Sequence, residues 1–484
     1  MEEKKLGLMS VISTGVGLIV ATSCLMSLGQ GAGALGTGFI IPMVLACAIN
    51  ICTALSMAEL NALMPNLTGG LAQYTLAGMG PFVTIVTMVG GYLVCQSIAG
   101  SVECAMFGNA INTVFNTGIP SSVLCILLLV VLIAANLMGV DMFAKIQNVV
   151  VYGLIISLVL MGLIGIFGIG SGESVNQSMN ISGSIGETLS YLGVAFFLFI
   201  GCEFVIPISP NVKNERKNIP LGMILSLLII CGMQIIVVLG MGHYVAWGEL
   251  AESASPHILY GSSLLGRVGS YWMILVSIFA VISTVNSSIS FLSYMCAGMA
   301  KINLLPEIFL KKNKRGAYYV GILLIGSIMI IVNATGLSTS DSLSFMILVA
   351  IVFWMVSYVI SDINVLMFRK KLPKAPRTFK VPGGPIIPII GIIGNIFMIW
   401  NISSDPAERN MIFIIDGIIF IILAIYAVLW CKLKLKRPMF KAVPLHEVMS
   451  MENPLYLIYN KKHKKEIEEK KARGGKSNYE LSEN

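Results

Sequence analysis

Along most of this chain apolar residues continue for about twenty positions at a stretch, the length of helix that crosses the hydrocarbon core of a bilayer. Glycine, proline or a small charged cluster closes each run. With those residues as punctuation, the pattern predicts helices near 10–35, 38–62, 82–113, 121–140, 146–169, 187–208, 220–245, 268–300, 317–334, 343–368, 386–401 and 410–431. The connections between them are short. The expected fold is one all-α integral membrane bundle of about twelve transmembrane helices, not a string of globular domains.

Composition narrows the class. Hydrophobic types make up 56% of the 484 residues and charged types 12%, against about 25% charged in soluble chains, which excludes a water-soluble fold. The net charge of +8 suggests nucleic-acid binding until the basic residues are located. An even number of helices puts both termini on one side, and all of the 32 Lys and Arg except Arg267 and Arg409 then fall on that side. Adding or omitting one helix scatters the later clusters over both faces. The positive-inside rule makes the basic face cytoplasmic, so the charge is topological and no nucleic-acid partner is expected. The chain is expected in the cell membrane, with both termini inside. The opposite connections carry Glu173, Glu249, Glu252, Asp341, Asp405 and Glu408 and no large domain. In the basic tail, 432–484, the run Lys461 to Lys471 (KKHKKEIEEKK) reads as a solvated or membrane-surface helix.

Ten cysteines lie singly, nearly all inside apolar runs, and no pair has metal-ligand spacing. They are expected to be packing residues. The four histidines form no metal set, and neither a nucleophile motif nor a phosphate-binding loop occurs. No enzyme, cofactor, metal or ATP-driven pump is expected.

Ionisable side chains inside hydrocarbon are costly and therefore functional candidates. Glu103 in the third helix, Glu203 in the sixth and Asp416 in the twelfth are the deepest, with Glu59 and Asp362 toward cytoplasmic ends. Glu203 follows Gly201-Cys202 and precedes Pro207 and Pro210, residues that interrupt a helix. A helix broken at mid-membrane frees backbone N–H and C=O groups to hold a solute or an ion. The first helix carries a matching feature, since Gly15, Gly17, Ala21-Thr22-Ser23-Cys24, Gly29, Gly31 and Gly33 run small and polar residues through an apolar stretch. Small residues also serve tight helix packing, and both readings hold together. Half-helix N-termini carry positive partial charge and suit a carboxylate.

The stretch from Phe197 to Pro220 (FLFIGCEFVIPISPNVKNERKNIP) resembles the sixth helix and following loop of the amino acid–polyamine–organocation permeases, which read FxxFxGxE and then VKNPxxxIP. Leu55-Ser-Met-Ala-Glu-Leu60 with Pro65 and Gly69-Gly70 resembles the family's second helix. Asn286 with Ala300-Lys-Ile-Asn-Leu-Leu-Pro306 resembles its eighth helix and the turn beyond. The likeness runs from about residue 6 to 430.

The resemblance implies a five-plus-five inverted repeat with two further helices: repeat one at about 10–169, repeat two at about 187–368, extra helices at about 386–431. It implies a central substrate site contacted by Phe197 as an aromatic gate, Phe199, Ile200, Gly201 and Cys202, with Glu203 just beyond and linked to pH sensing. The family's first-helix GSGIF is represented here by Ala21-Thr22-Ser23-Cys24-Leu25, so the Thr22 and Ser23 hydroxyls are expected to take over contacts made elsewhere through glycine backbone. The fifth-helix lysine of many proton-coupled members is absent, and Leu154 lies near its place. Ser283, Thr284, Ser287 and Ser288 are candidate sodium ligands, although hydroxyls on apolar helices also bond back to carbonyls. Glu103 and Glu203 are the candidate proton or charge couplers, and a proton is preferred to sodium.

With two core carboxyls and no core base, a desolvated site favours a cation; if burial neutralises the carboxyls, a zwitterion fits instead. The expected function is a secondary active transporter of amino acids, cationic ones or their amines among them, working by alternating access. A nutrient sensor of the same fold, binding an amino acid without net transport, is the alternative.

Overall fold

The computed structural model describes residues 5–65, 67–115, 117–179, 185–336, 340–373, 375, 377–403 and 405–452. Lys4, Lys374 and the Lys461 to Lys471 run lie outside them. Among the described residues the chain is all-α, with one isolated parallel bridge between Leu6 and Val212 and no strand.

The first span is two helices, α1 (Leu8–Ile19) and α2 (Thr22–Leu35), and the second is α3 (Ile40–Leu63). A short α4 (Leu71–Met79) precedes the third span, in which α5 (Pro81–Ile85) and α6 (Cys95–Phe115) are joined by a π turn over Val86–Val94. The fourth and fifth spans are α7 (Ser121–Leu137) and α8 (Val140–Ile166). The sixth is α9 (Ile185–Ser190) and α10 (Leu192–Phe197), followed by short 3-10 turns at Cys202–Val205 and Ser209–Asn211. Then come α11 (Glu215–Tyr244), the short α12 (Trp247–Glu252), α13 (Pro256–Lys301), α14 (Tyr319–Ala334) and α15 (Ser340–Lys371), with α16 (Ile386–Trp400), α17 (Pro406–Trp430) and a terminal α18 (Leu445–Glu452). Among the described residues seven helical stretches are long and apolar enough to cross a membrane, and five more apolar helices are shorter.

The first helix, expected near 10–35 with its winding open to a breach, stops at Val20 and restarts at Thr22. Two of the expected boundaries need correction. The eighth, expected over 268–300, begins at Pro256 and bends at Leu265–Gly266. The helix α4 was not anticipated: nine residues that include Gln73, Tyr74 and Thr75 are too few and too polar to register as an apolar run.

Large exposed apolar side chains recur along α17 at Ile414, Ile418, Ile421, Ile422, Ile425 and Leu429. Steps of three and four residues make these one helix face, an apolar stripe that lipid solvates in a membrane protein. The buried side carries the site. Around the break in the first span, α1 packs on α8, α11 and α13, while α10 packs on α2 and α3 and α6 on α13 and α15. All ten cysteines are free and none pairs, consistent with packing roles. Leu6 is tied beside the end of the sixth span, donating to the Asn211 carbonyl and accepting from the Lys213 amide, both at 2.8 Å.

Candidate functional site

A helix start leaves backbone N–H groups without intrahelical partners, and serine, threonine or aspartate at the N-cap normally accepts one of them. In α2 the N-cap is Ala21, which has no side-chain acceptor. A residue eighty positions away in sequence fills the role: Glu103 of α6 accepts the Thr22 amide at 3.1 Å through one oxygen and the Ser23 hydroxyl through the other. The carboxylate sits where the helix dipole is positive. The facing end of α1 is closed from α13, whose Ser283 and Thr284 hydroxyls donate to the Gly17 carbonyl at 2.8 and 3.2 Å.

The sixth span opens over Leu198–Gly201, between α10 and the 3-10 turn that follows. Gly201 lies at φ 121° and ψ 4°, outside the reach of ordinary L-residues. A Cβ there would come within 2.4 Å of a Leu18 methyl, so glycine lets the two broken spans touch. Its amide donates to the Tyr358 hydroxyl at 3.1 Å. Tyr358 in turn donates to Glu203 at 2.6 Å, as do the Trp354 indole at 2.5 Å and the Tyr92 hydroxyl at 3.3 Å. Tyr92 reaches in from the π turn of the third span, and such turns re-aim side chains at functional sites. Phe204 stacks on Phe291 beside this group, with ring centroids 3.6 Å apart. Glu203 thus fastens the opened backbone to α15.

Between the two breaks lies a cavity of about 40 Å³, lined by Leu18, Ile19, Ala21, Ser23, Gln96, Ala99, Glu103, Phe197, Ile200, Thr284 and Trp354. Water needs about 10–15 Å³ of such space, so a few molecules fit and the site is contracted. Larger cavities of about 630 Å³, beside α4 and the chain after α17, and about 470 Å³, between the third, tenth and twelfth spans, touch neither break. The smaller one is the candidate site because opened backbone bounds it.

Of the sequence-predicted contacts, Ser23, Phe197, Ile200 and Glu103 face this cavity, and Thr284 joins them from the ion-site group. The rest are arranged otherwise. The Thr22 hydroxyl donates to the Ser277 carbonyl at 3.2 Å, and Cys24 turns toward Gln234, whose amide lies 3.5 Å from its sulfur. Phe199, Gly201, Cys202 and Glu203 are buried behind the lining. In this structure the Thr22 hydroxyl is taken by the Ser277 carbonyl and the Ser23 hydroxyl by Glu103. The four hydroxyls of α13 are placed separately. Ser283 and Thr284 close α1, Ser288 lies between the Thr284 carbonyl and the Gln96 amide at 2.8 Å each, and among the described residues Ser287 has no partner. Sequence reasoning missed Gln96 and Trp354, and it missed Tyr92 and Tyr358 as partners of Glu203.

Glu203→Gln removes an acceptor and turns one side of the group into a donor facing donors. Mismatched buried polar groups cost about 1–3 kcal/mol, so thermal melting is expected to fall measurably and the pH profile of uptake to change. An unaltered profile would remove Glu203 from coupling.

Comparison with known proteins adds the family. The chain is 23% identical over 441 residues to the branched-chain amino acid permease BcaP of Bacillus subtilis (strain 168), covering 86% of this chain and 92% of that one. It is 24% identical over 442 residues to the methylthioribose transporter of the same organism, covering 85% and 88%. The family model described as amino acid permease matches residues 6–431. With two interrupted spans meeting at a carboxylate-capped cavity, and nearly the whole helical bundle matched, the chain belongs to the amino acid permease family and is a multi-pass membrane transporter of amino acids or related compounds, not an enzyme.

Proposed function

We propose that this protein is a secondary active transporter whose preferred substrates are organic cations without a free carboxylate, the amines derived from amino acids, moved by alternating access. One observation carries the reading: the N-terminus of α2, the natural seat for a substrate carboxylate, already holds the carboxylate of Glu103. A second carboxylate would have to displace it or lie against it, and like charges at a few ångströms in a dry site repel strongly. An ammonium meets the opposite field, since among the described residues no basic side chain lines the cavity. The name of one relative's substrate, methylthioribose, also describes a compound with no carboxylate.

The neutral-amino-acid reading has its own support in the relative named for branched-chain amino acids. In that case Glu103 must take up a proton and leave α2 as the substrate arrives. Counterflow in liposomes separates the two, with agmatine against arginine and isopentylamine against leucine as matched pairs. The wild type is expected to exchange each amine at least about tenfold faster than its amino acid, and Glu103→Gln to narrow or reverse that ratio. Faster exchange of the amino acids by the wild type would overturn the amine reading.

The further organisation proposed is two inverted repeats, 10–169 and 187–368, followed by two helices, in the cell membrane with both termini cytoplasmic. A proton is the proposed coupling ion, carried by Glu103 or Glu203. Engagement of Ser283, Thr284 and Ser288 with carbonyl oxygens weighs against sodium there.

A further inference from the structure

The twelfth span contains a carboxyl that the central site does not use. Asp416 of α17 is 8% exposed, and among the described residues neither of its oxygens has a hydrogen-bond partner. It borders the cavity of about 470 Å³ between the third, tenth and twelfth spans, where Phe82, Phe353 and Phe420 supply aromatic walls and Thr87 the other polar side chain. That volume falls in the range of small-molecule sites, which are mostly apolar with a few placed polar groups. An unpaired buried carboxylate is costly, whereas one that meets a cation framed by aromatic rings is not, because ring faces attract ammonium groups as well.

We propose that this lateral cavity is a second binding site, for a lipophilic ammonium: an amine on an apolar body that enters from the bilayer and pairs with Asp416. Depth selects against a phospholipid. Asp416 is ten residues into α17, about 15 Å at 1.5 Å per residue, near the middle of a hydrocarbon core about 30 Å thick, below the reach of a headgroup amine. The site is separated from the central one by a single turn of α15. Phe353 faces the lateral cavity, while the next residue, Trp354, lines the central cavity and donates to Glu203. On its other side that turn presses on the π turn, where a Cβ on Gly91 would lie 2.9 Å from the Phe353 carbonyl. An occupant therefore bears on the helix that holds Glu203 and slows exchange at the central site.

The test is thermal melting of the purified full-length protein with decylamine, decanol and decanoate. Decylamine is expected to raise the midpoint saturably, by about 2–4 °C, while decanol and decanoate do not. Asp416→Asn should abolish the rise. So should Gly417→Leu, which keeps the carboxyl and adds bulk to the cavity wall, since Gly417 lines the cavity and a Cβ there would meet nothing within 4 Å. Whichever variant folds decides the matter. An equal rise with decanol, no rise in the wild type, or a rise that persists in the folded variants overturns the proposal. A rise lost only in Glu103→Gln assigns the amine to the central site and overturns it too, leaving the transport reading intact.

Discussion

Gly201→Ala is expected to lower exchange by about ten- to hundredfold while the protein still inserts and purifies. Two effects combine. At φ 121° an alanine is strained, and such strain costs about 1–3 kcal/mol. The new methyl also meets the Leu18 side chain at 2.4 Å. Leu18 is the flexible partner, so it moves, and it is a wall of the central cavity. The opened backbone then shifts away from Tyr358, loosening the bond that ties it to Glu203. Leu18→Ala combined with Gly201→Ala should recover the steric part and leave the backbone part, so the double variant should exchange faster than Gly201→Ala alone. Counterflow at matched protein density checks both, and wild-type exchange by Gly201→Ala would separate the sixth-span break from transport.

How much of this was legible in sequence depends on the range of the interaction. The break in the sixth span was readable because its causes are local: Gly201, Pro207 and Pro210 stand within ten positions and each acts on its own backbone. The break in the first span was readable from small and polar residues spread from Gly15 to Gly33, Ala21-Thr22-Ser23-Cys24 among them; the chain opens at Val20 and Ala21, neither of them a breaker by type. What makes the opening tolerable is Glu103, brought from another helix to cap α2, and no spacing in the first span encodes that partner. The aromatic holders of Glu203 were hidden for a related reason. Tyr92, Trp354 and Tyr358 lie in apolar runs, where an aromatic residue looks like packing until its polar tip finds the carboxylate. The π turn was not recognised because Val86–Val94 (VTMVGGYLV) continues an apolar run, with Thr87 and the Gly90-Gly91 pair too few to mark a change of winding. The overall architecture needed none of this, since run length and punctuation alone gave the all-α bundle.

Glu59→Ala is expected to have the largest effect on stability, about 3–5 kcal/mol, because it removes one partner from a buried ion network. Glu59 is 2% exposed on α3 and meets two donors and a second guanidinium from the far end of the tenth span and the chain after it. Arg369 Nε donates to it at 3.0 Å, the Val381 amide at 2.8 Å, and Arg377 Nε lies 3.5 Å away. Both arginines also reach backbone carbonyls, Arg369 that of Val381 and Arg377 those of Phe368 and Leu372. Those contacts hold the guanidinium groups in place after truncation, with the positive charges facing each other and no anion between them. Val381 and Arg377, in the connection after α15, meet α3 at this carboxylate, so that connection should become sensitive to protease in Glu59→Ala. Glu59→Gln keeps an acceptor for the Val381 amide and should lose roughly half as much. Melting curves for the two variants with proteolysis of the same samples check the ordering. Equal, small losses for both would mean that the carbonyl contacts, and not the ion pairs, hold this end of the bundle closed.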